Sequence, residues 1–248
     1  MIVRISGRKQ AGKNTIANYI NGYVLKELNM VNDFYIDNTG SLVISTKDSN
    51  GNTGYGIFDV TRKDYAFVEY AERELWPYIK VYHFADYLKD ICVKLFGLNP
   101  KNIYGTDSDK NEATPFIWKE MPGISQSDTN IRYQTHREFM EYFGTTIVRK
   151  IKQDAWVYAT INKILEEKSK ISIIPDVRFP NEVKAIKESG GIVIRLTRNL
   201  HDSKVECEAA LDKSNYDWSQ FDHVIDNDSC SIEELCDKTK VIISQWSI

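Results

Sequence analysis

The sequence predicts an α/β fold in which helices flank a mostly parallel β-sheet. Short runs of β-branched residues alternate with helical patterns along the chain, and this alternation is typical of parallel sheets. The chain also begins with a strand, a glycine-containing loop and a helix in direct succession. Because ligands bind at the carboxyl ends of strands in such sheets, we expect the functional residues where strands end.

The first part of the chain predicts a strand, a helix and a β-rich insertion. Residues 1–6 are rich in β-branched residues, and residues 15–28 carry apolar side chains at helical intervals. From 33 to 59, short Tyr, Ile and Val segments are separated by Asn-Thr-Gly and Asn-Gly-Asn. This pattern is typical of a β-hairpin or small meander, which we expect to be an insertion lying on the core.

The middle of the chain predicts a second strand, three helices and a lid-like region. A strand over 79–84 leads into a helix over 86–96. The segment 99–133 has weak periodicity and many Asp, Asn, Ser, Thr and Pro residues. We therefore expect a long loop region there that serves as a lid or substrate-binding region. Helical patterns follow over 136–150 and 155–168.

The last part predicts three further strands and two helices. A strand over 171–175 ends at Asp176, and a helix over 180–189 stops at Gly190-Gly191. The remaining elements are a strand over 192–196, a weak strand at 224–225 and a helix over 231–246. We interpret residues 1–248 as one domain that carries the insertion and the lid region.

Composition and charge narrow the class of protein. The formal net charge is -3 and 42% of the residues are hydrophobic, so the chain can bury an ordinary core. A broad nucleic-acid-binding surface is not expected at this charge, whereas a local basic pocket for phosphates is compatible with it. No apolar run approaches the roughly 18 residues of a membrane span. We expect a cytoplasmic protein with neither nucleic-acid nor membrane partners.

The cysteines and histidines indicate neither a disulfide framework nor a zinc site. The four cysteines lack CxxC spacing and the density of a secreted domain, so we expect free thiols in a reducing compartment. The four histidines lack metal-ligand spacing. These residues are Cys92, Cys207, Cys230, Cys236, His83, His136, His201 and His223.

The loop GRKQAGKNT after the first strand is the strongest indication of function. Gly7, Gly12 and Lys13 match G-x-x-x-x-G-K, in which backbone N–H groups surround phosphate oxygens and the lysine reaches the terminal phosphates. Asn14 stands where the general pattern has Ser or Thr, and Thr15 follows it. The alternative is a glycine turn before a helix. Since strand, loop and helix occur in the required order, we predict a P-loop NTPase-type fold and a phosphate-binding loop.

The Asn14-Thr15 pair narrows the class of this loop. Nucleoside monophosphate kinases of the adenylate-kinase type also place one residue between the lysine and the hydroxyl, as Gly-Lys-Gly-Thr. This similarity makes Thr15 the candidate hydroxyl for contact with phosphate or Mg²⁺.

A carboxylate at the end of the strand over 171–175 is the second indication. Asp176 ends the run ISIIPD, and Arg178 lies two residues further on. In a protein with a phosphate loop, a carboxylate there suits Mg²⁺ or its bound water, and an arginine suits phosphoryl charge. The alternative is an aspartate that caps a helix or forms a turn. The loop and the strand-end carboxylate support each other.

Further basic and aromatic residues are candidates for binding a phosphorylated substrate. Phosphoryl transfer depends mostly on positioning and charge stabilisation, so it needs several such groups. For each cation taken singly, a solvated charge on a helix face is the alternative, and for tryptophan the alternative is a core position. The candidates are Lys89, Arg137, Arg149, Lys150, Arg198 and Trp156.

Eight short motifs occur in one order between residues 7 and 228. They are GRKQAGKNT, HFADYLKD, REFMEYFGTTIVR, DAWV, PDVRFPNE, SGGIVIRLTR, ECEAALD and FDHVIDND. In this order they resemble the deoxynucleoside monophosphate kinases encoded by tailed bacteriophages. The resemblance covers most of the chain, is patchy across 99–133 and leaves out 33–59. It implies a P-loop kinase that passes the terminal phosphate of ATP to deoxynucleoside 5′-monophosphates and needs Mg²⁺.

The resemblance also implies roles for individual residues. Lys13 would stabilise the transferred group, Asp176 and Arg178 would act at the phosphoryl centre, and Glu182 would orient one of these two. The expected catalytic residues are Lys13, Asp176, Arg178 and Arg137, and the expected metal ligands are Thr15 and Asp176. The expected ATP-binding residues are Gly7, Gly12, Lys13, Asn14, Thr15 and Arg198. The expected substrate-binding residues are Lys89, Arg137, Gly144, Thr145, Arg149, Trp156, Glu182 and Glu208.

Two positions depart from the family pattern. Asn14 stands where these enzymes often have Asp, which removes a charge beside the Mg²⁺. Cys207 stands where Ser commonly precedes the glutamate, which removes a hydroxyl.

The expected function is therefore a deoxynucleoside monophosphate kinase that supplies precursors for DNA synthesis, in the host cytoplasm if the protein comes from a bacteriophage. One alternative is a kinase of another small metabolite, of the dephospho-coenzyme A or shikimate type, because the loop alone does not name the acceptor. Another is a non-catalytic nucleotide-binding module. The strand edges of 33–59 also suggest a homodimer.

Overall fold

The computed structural model describes residues 1–47, 51–124, 131–199 and 209–246. These residues divide into two units. Unit 1 comprises Met1–His83 and Lys163–Ile248, and unit 2 comprises Phe84–Asn162. Within the described ranges, no helix is long and apolar enough to cross a membrane.

The secondary structure follows the predicted alternation of strands and helices. The described strands are β1 (Ile2–Ser6), β2 (Phe34–Ile36), β3 (Leu42–Lys47), β4 (Thr53–Ile57), β5 (Ile79–Val81), β6 (Ala113–Ile117), β7 (Tyr133–Thr135), β8 (Ile171–Val177), β9 (Ile192–Leu196) and β10 (His223–Ile225). The described α-helices are α1 (Lys13–Glu27), α2 (Tyr65–Glu74), α3 (Ala85–Lys94), α4 (Pro100–Tyr104), α5 (Asp107–Lys110), α6 (His136–Glu141), α7 (Arg149–Ile151), α8 (Ala155–Glu167), α9 (Pro180–Glu188) and α10 (Ile232–Ile243).

A parallel sheet forms the centre of unit 1. Among the described residues its strands run in the order β10-β9-β1-β8-β5, and every pair is parallel. All five residues of β1 are buried, as expected for a strand that is covered on both faces. The predicted α/β fold of the P-loop NTPase type, with helices flanking the sheet, is confirmed.

The carboxyl ends of three adjacent strands bring the predicted motifs to one edge of this sheet. Ser6, the last residue of β1, pairs with Val177 of β8 and with Arg195 of β9. Between β1 and β8 the register shifts, so that Pro175 and Asp176 both lie opposite a single residue of β1. Strand β8 therefore extends two residues beyond its predicted end and carries a bulge, a feature that re-aims side chains beside active sites.

The described residues of the segment 33–59 form an antiparallel meander of β2, β3 and β4, as predicted, and residues 48–50 lie outside the described part of the chain. The meander lies against α1, and the closest approach is at Gly22. A methyl group on Gly22 would lie 2.6 Å from Phe34 Cε2 and 2.7 Å from Leu42 Cδ1. Tyr19, one turn away on α1, has its ring centroid 5.5 Å from that of Phe34. The meander therefore rests on a helix face that a glycine keeps flat.

Replacing Gly22 with alanine is expected to destabilise the protein, although alanine is the better helix former by about 1 kcal/mol. The added methyl overlaps Phe34 and Leu42, and overpacking of this kind costs about 1–3 kcal/mol. Thermal unfolding would therefore shift down by several degrees. Gly54→Ala in β4 is the matched control, because no atom lies within 4 Å of its added methyl. A melting temperature of Gly22→Ala at or above that of the wild type would contradict this packing.

Helix α2 has no counterpart among the predicted elements. Asp64 caps it by accepting a hydrogen bond from the Phe67 amide at 3.1 Å. Its buried residues are Phe67 and Ala71 only, which are too few apolar positions to give a readable helical period.

Unit 2 contains more regular structure than the long loop predicted over 99–133. Two short helices, α4 and α5, and the strand β6 lie within this segment, and β6 pairs with β7 in an antiparallel ladder. Side-chain caps explain the helices: Asn99 accepts from the Lys101 amide, and Thr106 forms a capping box with Asp109. Residues 125–130 of the predicted lid region lie outside the described part of the chain.

The helix predicted over 136–150 is present but changes its winding. It begins as α6, continues as a π-helical segment over Tyr142–Val148 and ends as α7. Gly144 lies in the π-helical segment, where a methyl group would lie 2.9 Å from Leu88 Cδ2. Irregular winding of this kind occurs frequently at functional sites.

Candidate active site

Glycine stands at both ends of the loop between β1 and α1. Gly12 precedes α1 with a φ of 97°, in the left-handed region that favours glycine. A methyl group on Gly12 would also lie 3.0 Å from Leu235 Cδ2. One on Gly7 would lie 3.2 Å from Leu196 Cβ. The two glycines of the GRKQAGKNT motif thus lie in tight contact with α10 and β9, and the backbone conformation of Gly12 favours glycine on its own.

Lys13 places its ammonium group inside this loop. Its Nζ donates hydrogen bonds to the carbonyl oxygens of Gly7 and Arg8, each at 2.7 Å. The same lysine opens α1, so the positive end of the helix dipole lies beside the charge. A lysine and a helix N-terminus on one loop provide the positive charge and the N–H donors that bind phosphate oxygens.

Asp176 and Glu182 lie near each other in the chain but differ in what they contact. Glu182 is 2% exposed, and its Oε2 accepts the backbone N–H groups of Arg178 at 2.7 Å and Phe179 at 3.2 Å. It therefore holds the turn that carries the exposed Arg178. Asp176 instead faces His83, whose Nδ1 lies 3.8 Å from Oδ2.

A buried cation balances these carboxylates from within the sheet. Arg4, in the middle of β1, is fully buried, and its Nη1 lies 3.4 Å from the carbonyl oxygen of Glu182. Burial lowers the pKa of Arg4 to about 9, while the nearby charges of Glu182 and Asp176 oppose that shift. The guanidinium therefore stays protonated at neutral pH and stabilises the negative charge at the end of β8.

Asp176 fits the chemistry of a magnesium ligand. Its Oδ1 is buried and accepts no hydrogen bond from any residue in the described ranges. Mg²⁺ prefers oxygen ligands and is usually bound by one or two carboxylates together with substrate phosphates. No group of three or more His, Cys, Asp or Glu residues suited to a metal occurs in the described ranges. Thr15, half-buried in the first turn of α1, adds a hydroxyl, whereas Asn14 is exposed.

Arg8, from the loop itself, belongs to an ion-pair network that the sequence did not reveal. Asp212 accepts from Arg8 Nε at 3.2 Å and from Arg195 Nη2 at 3.1 Å, and it also pairs with Arg8 Nη2. Arg195 is 3% exposed and donates to Ser6 Oγ at 3.0 Å. One carboxylate thus connects the loop to the end of β9 through two guanidinium groups.

Asp212→Asn is expected to lower the free energy of unfolding by about 3 kcal/mol, because it leaves two guanidinium groups facing an amide in a largely buried site. Thermal unfolding checks this effect. Asp237→Asn, at an exposed position of α10, removes the same charge as a control. Equal stability of the two variants would contradict the role of this network.

Arg198 is held by the segment after β10. Its backbone N–H donates to Asn227 Oδ1 at 2.9 Å and its Nε donates to the Asn227 carbonyl at 2.9 Å. Asn227 Nδ2 in turn donates to the Ala11 carbonyl at 2.8 Å. Arg198 is therefore linked through Asn227 to the loop where ATP phosphates are expected.

Unit 2 collects most of the predicted substrate-binding residues. Arg137, Gly144, Thr145 and Arg149 follow one another along the continuous helical segment 136–151. The indole Nε1 of Trp156 is buried and donates to the Gly144 carbonyl at 3.1 Å, which favours the core alternative for its ring. Arg137 Nη2 donates to Asp107 Oδ1 at 2.6 Å, and Lys89 Nζ lies 5.3 Å from the centre of the Tyr104 ring. Lys150 is exposed, and His201, Cys207 and Glu208 lie outside the described residues.

Several residues around the loop were not predicted from the sequence. Two of them could have been recognised from the sequence. Arg4 in IVRIS and Arg195 in IVIRL are charged residues inside otherwise apolar strands, and a buried charge requires a partner. Asp212 and Asn227 lie in loops, and nothing local marks them.

Comparison with known proteins gives a consistent answer. The family model described as deoxynucleotide monophosphate kinase matches residues 1–239. A protein of Acanthamoeba polyphaga mimivirus with the name "Putative deoxynucleotide monophosphate kinase" is 29% identical over 143 residues, which is 50% of this chain and 66% of the viral protein. The match thus spans just under two thirds of that relative. Because the family model covers nearly the whole sequence, the chain belongs to the deoxynucleotide monophosphate kinase family.

Proposed function

We propose that this protein is an ATP-dependent kinase that transfers the γ-phosphate of ATP to deoxynucleoside monophosphates and releases deoxynucleoside diphosphates. The observation that carries the proposal is the ammonium group of Lys13, held 2.7 Å from two carbonyl oxygens of the glycine loop. The end of β8 with Asp176 lies at the same edge of the sheet. Family membership supports phosphoryl transfer.

The residues of unit 1 would bind and orient the donor. Backbone N–H groups of the loop from Gly7 to Thr15 would hold the phosphates, with Arg198 beside them. Lys13 would stabilise the charge that spreads over the transferred group. Arg178, on the turn that Glu182 holds, would add a second positive charge at the phosphoryl centre.

Thr15 and Asp176 are the residues that would hold Mg²⁺. The ion, when bound, neutralises charge on the phosphate oxygens. Asp176 brings a carboxylate oxygen that no described residue engages by a hydrogen bond. With Asn14 in place of the acidic residue often found at that position in phage enzymes, Asp176 becomes the main protein charge available to the ion.

The residues of unit 2 would bind the acceptor. Arg137, Arg149 and Lys89 supply positive charge for a monophosphate, and Gly144 and Thr145 lie on the same helical segment as the two arginines. The segment 99–133 would close over the reactants, because water is a competing acceptor that must be kept out. Direct transfer between two bound nucleotides needs no covalent intermediate.

The setting proposed for this reaction is the cytoplasm, where it would supply precursors for DNA synthesis. Cys92, Cys230 and Cys236 are free thiols, which are compatible with a reducing compartment.

The proposal is tested by offering the purified protein ATP, Mg²⁺ and one acceptor at a time. The acceptors are dAMP, dGMP, dCMP, dTMP, the matching ribonucleotides, dephospho-coenzyme A and shikimate. We expect ADP release with several deoxynucleotides and little with ribonucleotides. If only a non-nucleotide compound supports turnover, that compound replaces the deoxynucleoside monophosphate as the proposed acceptor. ATP binding without release of ADP for any acceptor would indicate a binding module instead.

A further inference from the structure

The first turn of the β-meander, residues 37–41, contacts the hydroxyl group expected to bind Mg²⁺. A methyl group on Gly40 would lie 2.5 Å from Thr15 Oγ1 and 3.5 Å from Thr15 Cβ, whereas ordinary contacts begin at 3.4 Å. Gly40 is buried and has a φ of 85°. Asn18 Nδ2 donates to the Gly40 carbonyl at 2.9 Å. The turn therefore lies directly against the start of α1.

This contact is one of several that hold the meander along one face of α1. Thr15, Asn18 and Gly22 lie at positions i, i+3 and i+7 of α1 and so share one helix face. Thr15 and Asn18 contact Gly40, and Gly22 packs against Phe34. Since the meander is held along two turns of the helix, its first turn cannot move away from Thr15 without breaking the other contacts on this face.

The turn is also held by its own hydrogen bonds. Asp37 Oδ1 accepts from the backbone N–H groups of Thr39 and Ser41, each at 2.9 Å, and from Thr39 Oγ1 at 2.6 Å. The Gly40 N–H donates to the Asp37 carbonyl at 3.0 Å. These hydrogen bonds lower the pKa of Asp37, and the bond from the Thr39 hydroxyl has the largest effect. The Asp37 side chain is therefore a carboxylate at neutral pH, and the turn persists there.

We propose that the 37–41 turn is part of the nucleotide site, and that Gly40 is a positioning residue that fixes the Thr15 hydroxyl for Mg·ATP. The inference rests on the proposed function, because that function gives Thr15 its role. A threonine side chain has few rotamers, and the turn restricts those that Thr15 can adopt. Displacing a ligand oxygen by about 1 Å is enough to weaken a site of this kind strongly.

The test compares Gly40→Ala with Gly51→Ala. Both positions have positive φ, 85° and 84°, but no atom of the described residues lies within 4 Å of a methyl group on Gly51. The two variants therefore carry similar backbone strain, and only the first disturbs Thr15. Calorimetric titration with ATP in excess Mg²⁺ should show binding weakened about tenfold in Gly40→Ala, and unchanged in Gly51→Ala. With EDTA in place of Mg²⁺, the wild type, Gly40→Ala and Gly51→Ala should bind ATP with equal affinity.

A double-mutant cycle with Thr15→Ala tests whether Gly40 acts through the hydroxyl. We expect Gly40→Ala to have no further effect on Mg·ATP binding once Thr15 is alanine. If Gly40→Ala does not fold, Asn18→Ala removes the bond to the Gly40 carbonyl and should weaken Mg·ATP binding about fivefold. Equal binding by Gly40→Ala and Gly51→Ala, or a full effect of Gly40→Ala in the Thr15→Ala background, would overturn the inference. Because calorimetry needs no acceptor, these outcomes are separate from failure of the kinase assay with the wild-type protein.

Discussion

Lys13→Met is expected to lower kcat by about 10²–10³-fold while the protein stays folded. The Lys13 Nζ is positioned by the carbonyl oxygens of Gly7 and Arg8, so its charge is already fixed where we expect negative charge to develop on the transferred phosphate. Methionine keeps the length and the apolar stem of the side chain but loses the charge and the three donors. The loss should therefore appear in the chemical step more than in ATP binding.

Steady-state kinetics with saturating ATP and acceptor measure this effect, and circular dichroism checks the fold. Lys26→Met is a suitable control, because Lys26 lies on the same helix at an exposed position, where it pairs with Asp33 at 2.7 Å. Near-wild-type turnover of Lys13→Met would remove the lysine from the chemistry and leave the loop only a binding role.

Asp176→Asn is expected to reduce turnover by a similar factor of about 10²–10³, with a different signature. The amide keeps the shape of the side chain but replaces one carboxylate oxygen with an N–H donor group, and the buried Oδ1 is the atom we expect to face the metal. Mg²⁺ dependence should therefore shift to higher concentration, whereas ATP binding in EDTA should be close to that of the wild type. Titration of activity against Mg²⁺ at fixed ATP measures the shift.

The control for this substitution is again Asp237→Asn, which removes one negative charge from an exposed helix position. An Asp176→Asn variant with the wild-type Mg²⁺ dependence and turnover would mean that Asp176 serves only to balance Arg4 inside the sheet. Loss of the fold would indicate the same structural role, because the Arg4 guanidinium is buried next to this charge.

Local patterns were sufficient to predict most of the elements that build the sheet. The buried strands β8 and β9 and the helices α3 and α9 have strong apolar periods, and their bounds agree with the prediction within a few residues. The glycine loop was predicted with its flanking strand and helix because its spacing and its context are both local. Proximity of the loop to Asp176 was also predictable, since carboxyl ends of parallel strands share an edge.

The parts that were not predicted depend on contacts between distant residues. Arg8 and Asp212 are 204 positions apart, and Asn227 is 216 positions from Ala11, so no window of sequence contains both partners. Pro175 reads as the end of a strand, but β8 continues through a bulge that only its pairing with β1 reveals. Likewise, no residue preference indicates the π-helical segment, in which Gly144 packs closely against Leu88.

The meander shows how a structural segment becomes relevant to the site. Its composition predicted strands and turns, and nothing in residues 33–59 indicates a nucleotide. Its relevance comes from where it rests, since Gly40 meets Thr15 on the face of α1 that also carries Gly22. Glycine is common in turns, but Gly40 also lies against the Thr15 hydroxyl. Substitution of Gly40 therefore tests directly whether the meander matters to the site.

Identification of the labelled product is the decisive test of phosphoryl transfer from ATP to a deoxynucleoside monophosphate. The wild-type protein would be incubated with ATP labelled in its γ-phosphate, Mg²⁺ and a deoxynucleoside monophosphate, and the nucleotides would be separated and counted. We expect the label to appear in the deoxynucleoside diphosphate in an amount equal to the ADP formed, and we expect Lys13→Met to form almost none. Label recovered only as inorganic phosphate, or no ADP with any deoxynucleotide, would contradict this expectation.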